Sequence, residues 1–143
     1  MFLFLTCVGP IEDKELALNR IIQLTNGYTK ESLMKHLNYP FKKEDILDLK
    51  VGEMVLISGK LFTGRDAVHH RIHQGTKPPV DLKNQIIYHC GPVVLKNKKG
   101  QYEVKAAGPT TSIREEPYQW EVMRDYGIVG VIGKGGMGPK TLK

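Results

Sequence analysis

Three basic side chains stand in loops that follow apolar runs, and they are the residues best suited to chemistry. Arg65, in "TGRDAVHHR", follows "MVLISGKLF"; Arg114, in "GPTTSIR", follows "YEVKAA"; Lys134, in "GKGG", follows "IVGVI". The first two loops add hydroxyls: Thr63 in one, and Thr110, Thr111 and Ser112 in the other. A guanidinium offers a planar fork that matches a carboxylate or a phosphate. Hydroxyls and backbone amides supply neutral donors, and glycines let the main chain approach a ligand closely. Together the loops read as a grip on an anion with more than one charged group.

Two neighbouring motifs invite other chemistry. In "VIGKGGMGPKT" the spacing of Gly133 and Gly138 matches a phosphate-binding loop, but Pro139 stands where the lysine belongs. Proline has no amide to give a phosphate. Lys140-Thr141 is shifted by one, and two further residues are too few for a following helix, so a nucleotide loop is rejected. In "HHRIH", His69 and His73 share a helical spacing with no carboxylate at a matching turn. They are expected to pack and hydrogen-bond, and no metal site is expected. Cys7 and Cys90 lack a CxxC spacing and cannot build a zinc or iron–sulfur site alone. Both read as buried thiols of a reducing compartment.

The elements that must position these loops are legible as patterns. "EDKELALNRIIQLT" (12–25) has helical spacing and is stopped by Asn26-Gly27; Thr29 caps a second helix expected through Leu37, which Pro40 breaks. "KKEDILDLK" adds a turn or two of helix. From Val51 the pattern becomes strand-like: "VGEMVLISGKLF" with a Gly-Lys break, then "DLKNQIIYHCGPVVL" as two strands across Gly91-Pro92, then "GQYEVKAAG". "GIVGVIG" is apolar on both faces and so belongs at the centre of a sheet. Helices are expected over 66–74 and 117–126. The chain thus divides into a helical N-terminal arm, 1–39, and a mixed α/β domain, 40–143.

Composition narrows the partners. The 143 residues are 41% hydrophobic and 25% charged, a globular balance, with a net charge of +6. The densest basic run, "KNKKG", reads as a turn between strands. The aromatic residues beyond Val51 form no stacking row, which argues against nucleic acid. "MFLFLTCVGP" is too short to span a membrane and lacks a cationic leader, so it reads as a short strand. No membrane partner is expected, and the location is expected to be cytoplasmic.

Four segments in order, "LKVGEMVLISGKLFTGRDAVHHR", "VDLKNQIIYHCGPV", "AAGPTTSIREEPY" and "VGVIGKGG", make the chain resemble the beta subunit, or C-terminal domain, of class I iron–sulfur fumarate hydratase and its relative L(+)-tartrate dehydratase. The likeness runs from Tyr39 to Gly136. It implies a swivelling three-layer β/β/α domain and reversible hydration of a small dicarboxylate, fumarate to malate. It implies a partner alpha subunit that holds a [4Fe-4S] cluster through three cysteines; beta–beta contacts are compatible with it. On the beta side it implies substrate binding by Arg65, Thr110, Thr111, Arg114 and Lys134, with Thr110, assisted by Arg65, as the base. Asp66 is expected to orient Arg65, or to sit in the first helical turn where an acid is favoured. The sequence departs from the family pattern at Ile113, where glycine is usual, and at Glu115-Glu116, where Met-Asp is common. The family domain continues past the Gly-Lys-Gly-Gly loop, so a chain ending at Lys143 is expected to be incomplete. Two alternatives stand beside the fumarate reading: an L(+)-tartrate dehydratase beta subunit, and a non-catalytic dicarboxylate-binding module.

Overall fold

The computed structural model describes residues 3–6, as backbone, and 34–143. The helix expected over 12–25, the start of the one expected from Thr29, and the thiol of Cys7 lie outside those residues.

Ile86 and Ile87 show how the domain is layered. Successive residues of a strand point to opposite faces. Ile86 packs with Leu37, Phe41, Ile46, Leu49 and Val129, whereas Ile87 packs with Leu82, Val122, Ile128 and Val131. Their strand, β5 (Ile86–Tyr88), is therefore covered on both sides, which is why its run is apolar without alternation. Elements before it in the chain cover one face: β2 (Lys35–Asn38), α1 (Lys43–Leu47) and β3 (Val55–Ser58). Helices α2 (Asp66–His73) and α3 (Gln119–Tyr126) cover the other, through Ile72, Val122, Met123 and Tyr126. The result is a mixed α/β fold.

The main sheet runs β1–β8–β5–β4, with β1 at Leu3–Thr6, β4 at Phe62–Thr63 and β8 at Gly130–Gly133. Every pairing in it is parallel. β8 is central, as its apolar sequence requires, and β1 is the short strand expected at the start of the chain. Parallel strands end on the same side, so the loops after β4, β5 and β8 emerge together. That edge is where open α/β sheets place their ligands.

β6 (Val93–Lys96) and β7 (Tyr102–Ala106) form an antiparallel hairpin around the expected "KNKKG" turn. It leaves the sheet at Cys90 and returns at Gly108, so both its ends lie at the loop edge. Gly127, at φ 63°, closes α3 in the left-handed conformation that glycine adopts without strain. Among the described residues no helix is long and apolar enough to cross a membrane.

Two expectations fail. The helix expected through Leu37 is instead strand β2 over Lys35–Asn38, paired in parallel with β3 so that Leu37 faces Ile57. Pairing and the burial of Leu37 override the local helical pattern. A short helix, α4 (Pro139–Leu142), does form after Gly138.

Candidate functional site

The threonine loop is woven into the ends of two strands. Past β5 and β8 the main chain of 110–112 continues the ladder. Thr110 donates its amide to the carbonyl of His89 at 2.7 Å, Lys134 donates to Thr110 at 3.1 Å, and Ser112 donates to Lys134 at 2.9 Å. Thr111 and Lys134 pair as an isolated parallel bridge. Two loops 23 residues apart in sequence thereby become neighbours, with Thr110, Thr111 and Lys134 fixed by main-chain bonds. Gly133 makes this possible: a Cβ there would collide with Ser112 Oγ.

The arginines are gathered by an acid. Asp66 opens α2, and its carboxylate lies 2.8 Å from the Arg114 guanidinium and 3.9 Å from Arg65 Nε. The residue expected to orient Arg65 thus makes its shorter contact with Arg114. The guanidinium of Arg65 lies over Gly91, where an added Cβ would stand 2.8 Å from Nε. A groove of about 290 Å³ runs between Thr63–Val68 and Cys90–Pro92. Arg65 and Asp66 line it; Thr110, Thr111, Arg114 and Lys134 do not. The two arginines and Lys134 are exposed, whereas Thr110 and Thr111 are half-buried.

Beneath the loops lies a polar layer that sequence reasoning missed. His69, His89, Ser112, Glu115 and Gln119 are each 0% exposed. Gln119 Oε1 accepts the Nε2–H of His69 and of His89, both at 2.9 Å. That leaves His89 Nδ1 to accept the Ser112 hydroxyl at 3.0 Å. His69 Nδ1 lies 3.3 Å from the carbonyl oxygen of Arg65 and 3.5 Å from Glu115 Oε2. Burial pushes the His89 pKa down to about 4, with neighbouring His69 adding to the effect, and it lowers His69 as well. Burial, reinforced by the nearby Asp66 carboxylate, pushes Glu115 up to about 7. Both histidines are therefore neutral packing groups; His69, and His73 with its contact to Glu121 at 2.7 Å, pack and hydrogen-bond as expected of "HHRIH". The thiol of Cys90 is free and buried, also as expected. Gln119 carries no sequence signal: a glutamine in an amphipathic helix is ordinary until its partners are known.

Glu116 explains the loop that looks like a phosphate cradle. Its carboxylate accepts the amides of Gly138 and Lys140, both at 2.8 Å, and the Thr141 hydroxyl at 2.6 Å. Burial works against its charge, but these donors outweigh burial and hold its pKa below the usual range. The donors that "GMGPKT" offers are thus taken by an internal anion. That replaces the argument from a missing helix with a stronger one against a nucleotide loop.

Comparison with known proteins gives a consistent answer. The family described as "Fumarase C-terminus" matches residues 11–143. A candidate class I fumarate hydratase of Geobacillus stearothermophilus is 59% identical over 107 residues, 75% of this chain and 21% of the relative. The L(+)-tartrate dehydratase subunit beta of Escherichia coli K12 is 42% identical over 110 residues, 76% of this chain and 54% of that subunit. A candidate L(+)-tartrate dehydratase subunit beta of Methanocaldococcus jannaschii is 37% identical over 114 residues, 75% of this chain and 58% of the relative. The chain therefore spans from a fifth to somewhat over half the length of these relatives.

Proposed function

This chain belongs to the fumarase C-terminus family, and from that premise we propose that it supplies the cationic side of a dicarboxylate hydro-lyase site, as the beta part of a fumarate hydratase. The observation that carries the reading is the ionic cluster at the strand ends. Two guanidinium groups from separate loops meet at one carboxylate, Asp66. A substrate carboxylate would find the same donors.

In the dehydration direction a base takes a proton from the carbon beside a carboxylate. The electron pair of that C–H bond forms the double bond as the adjacent carbon–oxygen bond breaks; the proton removed and the hydroxide that leaves together make one water, and hydration is the reverse. Negative charge builds on that carboxylate as the proton departs. Arg65, Arg114 and Lys134 would stabilise it more in the transition state than in the bound substrate. In this reading Thr110 is the base. A threonine hydroxyl serves only where a cation lowers its pKa, and Arg65 has that role. Thr111 binds substrate as a neutral donor. Fumarate and tartrate call for the same cations, so tartrate is the alternative substrate.

The family resemblance implies a [4Fe-4S] cluster, and this chain's residues do not fit one. The sequence has two cysteines, and among the described residues no group of His, Cys, Asp and Glu could hold a metal ion. In the proposal the cluster belongs to an alpha partner, and residues 40–143 act as a swivelling three-layer domain that closes on it.

The test is substitution in the complex reconstituted with that partner. Arg65→Ala or Lys134→Ala should each lower turnover at least ~100-fold, the scale for losing one oxyanion donor. Near-normal rates in both variants would sink the assignment.

A further inference from the structure

Glu115 is a buried acid with nothing to do in the scheme above. Its side chain is 0% exposed, and neither carboxyl oxygen has a well-formed hydrogen bond among the described residues, with Asp66 the polar group bearing most on its charge. A bare carboxylate in such a place is costly, and the usual escape is to keep the proton. The groups facing it are few. Helix α2 presents His69 Nδ1 at 3.5 Å, the Asp66 carboxylate, whose charge opposes ionisation of Glu115, and the Asp66 backbone amide, which favours it. The turn of Glu115 itself (Ser112–Glu115) presents Arg114, which favours ionisation, and α3 presents the neutral Gln119 between the two histidines. His69 Nδ1 also lies 3.3 Å from the carbonyl oxygen of Arg65, so Glu115 is its second, longer contact.

We propose that Glu115 is a positioning residue that carries a buried proton. As an acid it faces His69 Nδ1 and leaves Asp66 as the negative charge that Arg65 and Arg114 share. On losing that proton it sets a second negative charge behind Asp66, and the arginine pair holds an incoming anion less well. The effect on anion binding rests on the dicarboxylate reading; the buried proton does not. The direction follows from charge. With the carboxyl raised to about 7, the acid form prevails below neutrality and the anion above it.

The test uses this chain. In the ligand-free protein, carbon NMR of the glutamate carboxyls should show Glu115 titrating near pH 7. The Arg114 guanidinium NH signals should carry the same step, and it should vanish in Glu115→Gln. A Glu115 carboxyl that titrates below pH 5 in the wild type overturns the proposal, whether or not the variant folds. L-malate is the binding probe, followed by calorimetry. Its affinity should fall severalfold between pH 6 and 8.5 in the wild type and stay level in Glu115→Gln. An equal slope in both proteins overturns the proposal. Absence of malate binding at every pH counts against the dicarboxylate reading, while the ligand-free titration still decides this one.

Discussion

Burial acts in opposite senses on the two kinds of titratable group beneath the arginines. His89 has its pKa lowered to about 4, so its contribution to stability is complete above the unfolded value near 6.5 and is lost as pH falls toward 4. Glu115 has its pKa raised to about 7, so its contribution is complete below the unfolded value near 4.5 and is lost as pH rises through 7. The windows overlap, and on acidification the gain from Glu115 offsets part of the loss from His89. Glu115→Gln removes that offset. Thermal unfolding followed by circular dichroism should show the variant more stable than wild type at pH 8, with the advantage shrinking to nothing as pH falls to about 4.5. A constant difference between the two proteins across that range would contradict the assigned burial of Glu115. Such residues are illegible in a sequence, because a glutamate in "REEPY" looks exposed until its neighbours are placed.

At the scale of elements, the loops depend on two glycines that differ in what they abut. A Cβ at Gly133 meets Ser112 where that hydroxyl bonds His89, inside the woven strand ends. A Cβ at Gly91 meets the Arg65 guanidinium, the free end of a flexible exposed side chain. Gly133→Ala should therefore cost ~1–3 kcal/mol of stability, the range for overpacking a tight site. Gly91→Ala should stay within about 0.5 kcal/mol while weakening malate binding, since Arg65 must swing aside. Denaturant unfolding of both variants checks the contrast, and equal destabilisation would contradict it. The same scale shows what the sequence could and could not reveal. Strands β3 to β8 and helices α2 and α3 follow hydrophobic period and turn residues, so they fall where the patterns put them. Strand β2 does not, because its state is set by pairing with β3, twenty residues away along the chain. Helix α4 was hidden for a related reason: its cap, Glu116, comes from a different loop. The cationic loops were legible as a repeated chemistry after strands. Their link through Asp66 required coordinates.

For the whole molecule, the parallel sheet turns separate stretches of sequence into one edge. Arg65, Arg114 and Lys134 span 70 positions of the chain, yet Arg65 and Lys134 follow parallel strands β4 and β8, and Arg114 is brought to the same edge by the main-chain bonds of 110–112 to His89 and Lys134. The sheet buries its apolar faces on both sides, so the loop edge is where polar chemistry remains. A net charge of +6 favours anions arriving at that edge. In the proposed function this edge is half of a hydro-lyase site, completed by a cluster-bearing alpha chain. Anaerobic co-expression with such a chain, followed by assays on fumarate, L-malate and L(+)-tartrate, tests it most directly. The complex should turn over at least one of these dicarboxylates, and neither chain alone should. An assembled complex with its cluster intact and no activity on any of the three would contradict it.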